Sequence, residues 1–253
     1  MTLYIPAYDV EEQDCLDAVK KIVRAHEKRE APATFFVAGN LLKSHTIEFK
    51  AILKGHPLFE TALRASSELD RFIESGEANL PAKLRDKIVS GGEYFKEMFS
   101  SEAPGFRAQA NGDRGLCDNE ALLGAIDEAG FGYLSTLPKN PNSTLLRPRT
   151  HAEQGFPRLR EFPPYKCNRQ NVAFSPEGEF EFLYMPIMDR ARAENLTHLS
   201  FALRSKELNE FDPSIKLPEL IFEYALQINM QEGTFADLHR EMLRKQHLAS
   251  GRG

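Results

Sequence analysis

The sequence predicts an α/β fold in which parallel strands alternate with helices and curl into a closed β/α barrel. Short β-rich apolar runs are each followed by a longer stretch with apolar residues at helical spacing, and this repeats about seven or eight times along the chain. A strand–helix–strand order demands parallel pairing through right-handed crossovers. The length of 253 residues is ordinary for such a barrel, and 42 % apolar residues fill a sizeable core. A doubly wound open sheet is the alternative with the same order of elements. No linker, internal repeat or low-complexity segment interrupts the pattern, so residues 1–248 read as a single domain and 249–253 as a flexible tail.

The elements follow in order. Leu3 to Tyr8 is a first strand, and Glu11 to Lys28 a helix with Leu16, Val19, Ile22, Val23 and His26 on one face. Ala33 to Ala38 is a second, buried strand behind Pro32. Asn40 to Lys54 is a helix stopped by Gly55, and Leu58 to Ala62 a third strand. Leu80 to Phe99 is helical. Gly105 to Ala110 is a strand running into the Asn111-Gly112-Asp113-Arg114-Gly115 loop, and Asn119 to Ala129 is a helix closed by Gly130. Further strands are expected at Tyr133 to Thr136, Leu159 to Phe162, Phe180 to Met185 and Tyr224 to Met230. One or two helices are expected within Asp189 to Leu208, and a last helix at Thr234 to His247.

Composition removes several function classes. The formal net charge is −5, which gives no support for a nucleic-acid-binding face. No apolar run approaches the length of a membrane span, so no membrane partner is expected. The N-terminus has no basic segment followed by an apolar one, so no secretory leader is expected and the location reads as cytoplasmic. Cys15, Cys117 and Cys167 are far apart and form no C-x-x-C, so neither a disulfide framework nor a thiolate zinc site is expected. No G-x-S-x-G elbow, G-x-G-x-x-G or phosphate-binding loop occurs.

Active sites of β/α barrels lie at the C-terminal ends of the strands. The residues falling there include Asp9 and Glu11, Glu68, Arg107, and Asn111 with Asp113. A carboxylate at Asp9 suits a general base or a metal ligand; it equally suits the cap of the following helix, with Glu11 favouring the helix dipole. Arg107 and the loop after it suit an anionic or polar substrate, or an ordinary salt bridge at a strand end.

The order of motifs resembles the polysaccharide deacetylases, the NodB-homology or carbohydrate esterase 4 type. The matching stretches are Tyr4-Ile5-Pro6-Ala7-Tyr8-Asp9-Val10-Glu11, Pro32-Ala33-Thr34-Phe35-Phe36-Val37-Ala38-Gly39 and Gly55-His56-Pro57-Leu58-Phe59-Glu60. Gly105-Phe106-Arg107-Ala108, Glu128-Ala129-Gly130-Phe131 and Tyr133-Leu134-Ser135-Thr136 complete them, so the resemblance spans roughly residues 2–165. It implies a distorted (β/α)₇ barrel and a metal-dependent hydrolase that removes acetyl groups from amino sugars. The family's metal is held by an aspartate and two histidines spaced H-x-x-x-H, with a second aspartate as base.

The sequence departs from that pattern at the metal. Asp9 stands where the family has its base, and Val10 where it has the metal aspartate. The two histidine positions fall on Arg64 and Glu68, whose spacing of four suits an i,i+4 ion pair. A guanidinium stays protonated and has no lone pair for a cation. No histidine occurs between His56 and His151, and none of the seven forms an H-x-x-x-H pair. Asn229 falls on the late strand at the position of the family's catalytic histidine. In the family, the equivalent of Arg107 orients the catalytic aspartate, so Arg107 paired with Asp9 is an expected remnant. The resulting expectation is a catalytic pair Asp9 and Arg107, substrate contacts from Glu11, Glu60, Arg64, Glu68, Asn111, Asp113 and Asn229, and no metal or other cofactor.

Three functions fit this sequence. The first is a diverged hydrolase of an amide C–N bond in a sugar-like or small-molecule substrate. The second is a non-catalytic pseudoenzyme that binds a ligand or serves as a scaffold, and the third is an enzyme of different chemistry on the same barrel. The sequence leaves the oligomeric state open.

Overall fold

A computed structural model describes residues 2–12, 15–109, 115–116, 119–137, 147–165 and 175–250. The first half of the chain alternates strictly. Strand β1 (Leu3–Val10) leads to helix α1 (Cys15–Arg29), then β2 (Ala33–Ala38), α2 (Gly39–Ser44), α3 (Thr46–Leu53) and β3 (Phe59–Arg64). Helices α4 (Ser67–Ser75) and α5 (Ala82–Phe99) precede β4 (Gly105–Gln109), and α6 (Glu120–Glu128) precedes β5 (Tyr133–Leu137). A short hairpin, β6 (Arg149–His151) and β7 (Phe156–Glu161), follows. Helix α7 (Pro176–Glu179) runs through a π-helical turn at Phe180–Tyr184 into α8 (Met185–Ala193). Then come β8 (His198–Arg204), α9 (Ser205–Phe211), α10 (Lys216–Gln227), β9 (Gln231–Glu232) and α11 (Phe235–Ser250), which continues past residue 248.

The strands pair in the order β6-β7-β5-β4-β3-β2-β1-β8, with β9 alongside the start of β1. Every pairing is parallel except β6 with β7. Between β7 and β8 the ring is bridged at one point. The Tyr165 amide donates to the Ser200 carbonyl at 2.7 Å, and the Ala202 amide to the Tyr165 carbonyl at 3.2 Å. The seven strands β1–β5, β7 and β8 therefore form the distorted (β/α)₇ barrel that the resemblance implies.

Alternation along each strand divides two cores. Outward side chains pack under the helices in one large cluster that includes Tyr4, Tyr8, Phe35, Leu63 and Phe106. Inward ones, namely Ile5, Ala7, Phe36, Ala62 and Tyr133, form a second cluster with Phe162 and with Phe235 and Leu238 of α11. The apolar side of the last helix is thus a plug for the N-terminal end of the barrel, with Leu248 left exposed. Gly105 is required by this packing, because a Cβ there would lie 2.1 Å from the Tyr133 ring.

Several expected elements are different. The third strand begins and ends one or two residues later than expected, which carries it to Arg64. Phe180 to Met185 is helical, although its aromatic composition favours a strand. Phe180 and Tyr184 are four apart and both buried, packing on Tyr224 and Phe201, while Phe182 between them is exposed. Of Tyr224 to Met230, the residues to Gln227 end α10, whose buried stripe is Leu217, Ile221, Phe222 and Ala225, and the rest is the turn after it. Conversely, the expected helical region Asp189 to Leu208 contains strand β8. The expected helix Asn40 to Lys54 breaks at His45 into α2 and α3.

Candidate active site

The C-terminal ends of β1, β3, β4 and β8 converge on a cluster of charges. Asp9, Arg64 and Arg107 face the barrel interior and are all but sealed, at 2 %, 3 % and 0 % exposure. The Arg107 Nη1 donates to Asp9 Oδ1 at 2.8 Å and its Nε to Ser135 Oγ at 3.1 Å. Its guanidinium carbon lies 3.7 Å from the centre of the Phe36 ring, a stacked cation–π contact. Burial pulls the Arg107 pKa down, and the Asp9 carboxylate works against that pull. The sequence thus names both members of this pair, and the fold brings them together from 98 residues apart.

Arg64 ends β3 and lies between that pair and solvent. Its Nε is 3.0 Å from Glu11 Oε1, its Nη2 is 2.6 Å from Asp70 Oδ2, and its Nη1 donates to the Arg107 carbonyl at 3.3 Å. Burial opposes the charge, but Asp9, Asp70 and Glu11 together outweigh it and hold the guanidinium above its ordinary pKa. Glu11 is half-buried, and burial raises its pKa despite Arg64. Arg204, at the end of β8, reaches Glu11 from the other side at 3.9 Å and Glu207 at 2.8 Å.

Three sequence expectations change. Glu68 does not pair with Arg64, because Arg64 is on a strand and not one turn earlier on a helix; Glu68 lies on α4 with Lys83 and Lys87 of α5 as its partners. Asp70, two residues on, holds Arg64 instead and also accepts the Gln109 amide at 2.8 Å. Glu60 lies at the opposite end of the barrel from the charge cluster, where it accepts from Thr34 Oγ1 at 2.9 Å, Tyr133 Oη at 2.5 Å and the Ala236 amide at 3.0 Å. Asn229 is exposed, with φ 56°, in the turn between α10 and β9, at the foot of β1. The strand that reaches the site late in the chain is β8, and it presents Arg204. Asn111 and Asp113 lie outside the described residues.

Asp70 and Arg204 are the residues that the sequence reading misses. A signal for Asp70 is present: Ser66 caps α4 by accepting the Leu69 amide, Leu69, Phe72 and Ile73 form its buried stripe, and Gly76 ends it at φ 74°.

Above Arg64 a cavity of about 720 Å³ opens between the strand ends and helices α2, α4 and α5. Arg64, Asp70 and Gln109 border it on the barrel side, and Asn40, Ser90 and Tyr94 on the helix side. Asp9 is not on its wall.

A divalent metal of the family's kind does not fit this site. The seat beside Asp9 is filled by a guanidinium, which offers no lone pair. Among the described residues no group of three or more His, Cys, Asp or Glu is placed to hold an ion. His26 and His198 are buried far from the strand ends' charges, with pKa values that burial lowers to about 4; His26 is bonded to Tyr8 Oη at 2.9 Å.

The fold is that of the polysaccharide deacetylases and CE4 proteins. A "probable Polysaccharide deacetylase" from Pseudomonas aeruginosa superposes with a TM-score of 0.70 at 14 % identity, over 96 % of this chain and 91 % of the other. Puue allantoinase gives 0.68 at 14 % identity, over 94 % and 89 %. A CE4 family pseudoenzyme from Bacillus anthracis gives 0.55 at 10 % identity, over 93 % and 65 %. No protein-family model matches the chain, and no curated protein matches it. Among the described residues no helix is long and apolar enough to cross a membrane.

Proposed function

We propose that this chain is a non-catalytic protein of the deacetylase fold that binds a small carbohydrate-like ligand at the former active-site mouth. One observation carries the reading: Arg64, clamped by Glu11 and Asp70, closes the strand ends over Asp9, which is 2 % exposed, while a cavity of about 720 Å³ remains above it. A general base must reach within hydrogen-bond distance of the proton it takes. Asp9 is instead committed to Arg107, and Arg64 stands in the path. The cavity is of ligand size, and its neutral hydrogen-bonding groups Asn40, Ser90 and Gln109 with the Tyr94 ring suit a polyhydroxylated ring.

The retained Asp9–Arg107 pair favours a second reading, a hydrolase of an amide C–N bond in a sugar-like substrate that works once Arg64 moves aside. One experiment separates the two. Chitooligosaccharides are titrated calorimetrically while released acetate is measured, with wild type and Asp9→Asn side by side. Binding without acetate release is expected. Acetate release by the wild type that disappears in Asp9→Asn overturns the non-catalytic reading. Absence of binding removes the carbohydrate-like ligand.

A further inference from the structure

We infer that the ligand of the cavity is amphiphilic: a polar ring, held through the Gln109 side chain, joined to an alkyl or aryl group that lies on the outer face of β3 and β4. The inference rests on the reading of the cavity as a carbohydrate-like site and narrows it.

The first observation is Gln109. It is 8 % exposed and borders the cavity at the end of β4. Asp70 accepts its main-chain amide at 2.8 Å, which fixes that strand end. Its side-chain amide has no hydrogen-bond partner among the described residues. A buried side-chain amide has two donor hydrogens and an acceptor oxygen to satisfy. The group borders the cavity, so the hydroxyls of a ligand there meet both needs.

The second observation is the floor. Leu63 and Phe106 point outward from β3 and β4, and with Leu69 of α4 and Ile88 of α5 they line the same cavity. A hydroxylated ring pressed on these side chains would leave water without gaining hydrogen bonds. An alkyl or aryl group there gains in proportion to the apolar area it buries. Helix α5 preserves this floor. Its buried stripe of Leu84, Ile88, Phe95 and Met98 is interrupted by Gly91 and Gly92. Gly92 has a packing reason, because a Cβ there would lie 2.9 Å from the Ala129 carbonyl oxygen at the end of α6. Gly91 faces Leu63 instead: a Cβ there would lie 2.9 Å from Leu63 Cδ2 and would push that side chain aside. Gly39, the first residue of α2, stands off from the other methyl, its Cβ position 3.9 Å from Leu63 Cδ1.

The test is a calorimetric titration of the full chain with the methyl, octyl and 4-nitrophenyl β-glycosides of N-acetylglucosamine, and with 1-octanol, below any micelle-forming concentration. The octyl or the nitrophenyl glycoside should bind the wild type roughly tenfold or more tightly than the methyl glycoside. That ratio decides the inference without any variant. Gly39→Leu lays a side chain over Leu63 and should bring the affinities together. Gln109→Ala should weaken all three glycosides by a similar factor and leave their ratio as it is. Equal affinity of the wild type for the three glycosides overturns the inference and leaves the carbohydrate-like reading standing. A preference for the octyl glycoside that survives in Gly39→Leu and disappears in Gln109→Ala also overturns it, because the apolar group then lies elsewhere. 1-Octanol that binds as tightly as the octyl glycoside, or binding of no glycoside at all, overturns the inference together with the carbohydrate-like reading.

Discussion

Glu60 and Ala236 are 176 residues apart, yet a carboxylate oxygen of the first accepts the main-chain amide of the second at 3.0 Å. Ala236 is in the first turn of α11, where amides have no partner within the helix. A buried carboxylate there satisfies one of them and meets the positive end of the helix dipole. The same carboxylate takes the hydroxyls of Thr34 and Tyr133, so β2, β3, β5 and α11 meet at one side chain.

Glu60→Gln should therefore destabilise the protein by about 1–3 kcal/mol, because its amide group presents a donor where donors already converge. Urea denaturation followed by circular dichroism measures this, with an unchanged m-value. A midpoint equal to that of wild type would remove Glu60 as the anchor of α11. Ligand binding at the other end of the barrel should be unaffected in the folded variant.

The Asp9–Arg107 pair should show the asymmetry of a buried ion pair. Asp9→Ala leaves the fully buried guanidinium without its partner and should cost about 3–5 kcal/mol. Asp9→Leu combined with Arg107→Met removes both charges and should cost far less than the two single changes added together. A double-mutant cycle in urea measures the difference. Additive losses would mean that the two groups do not interact.

Glu232 supplies a pH dependence. It is half-buried beside β1, and burial, partly offset by Arg29, pushes its pKa up from 4.5 to about 7. Between those two values the folded chain holds a proton that the unfolded chain has released. This contribution is full below 4.5 and is lost as the pH rises through about 7. Glu232→Gln should thus have a higher Tm than wild type at pH 8 and the same Tm at pH 4. A variant with the larger advantage at pH 4 would contradict the assignment.

Glu68 should be nearly silent. Its partners Lys83 and Lys87 are exposed, and water screens such pairs so that they contribute little. Glu68→Ala should leave ligand affinity at wild-type strength, whereas Asp70→Ala should weaken it by releasing Arg64 into the cavity. Calorimetry on both variants with the same oligosaccharide checks the contrast. An equal loss in both would return Glu68 to the site.

What the sequence reveals depends on whether local pattern and tertiary environment agree. Strand β2 is buried throughout, apolar but for Thr34, and flanked by Pro32 and Gly39, and its limits are legible to the residue. Strand β8 carries the alternation of a strand, with polar His198, Ser200 and Arg204 inward and apolar Leu199, Phe201 and Leu203 outward. The stretch is only seven residues long and lies directly between the helices Met185–Ala193 and Ser205–Phe211, so a helical expectation over 189–208 passes across it. Asp9 and Arg107 are legible because each is the single charged inward residue at the end of a motif. Arg64 is legible as a substitution but its partner is not. Spacing along a helix points to Glu68, whereas the strand continues through Arg64 and the helix starts only at Ser67. Those few residues decide which carboxylate turns inward.

The close approach of Gly105 to the Tyr133 ring ties distant positions into one heritable unit. Any side chain at 105 displaces the ring, the displaced ring withdraws its hydroxyl from Glu60, and Glu60 then loses part of its hold on α11. Related sequences should consequently vary at these positions together or not at all, so that a glycine with nothing to contribute chemically is guarded by the helix that closes the chain.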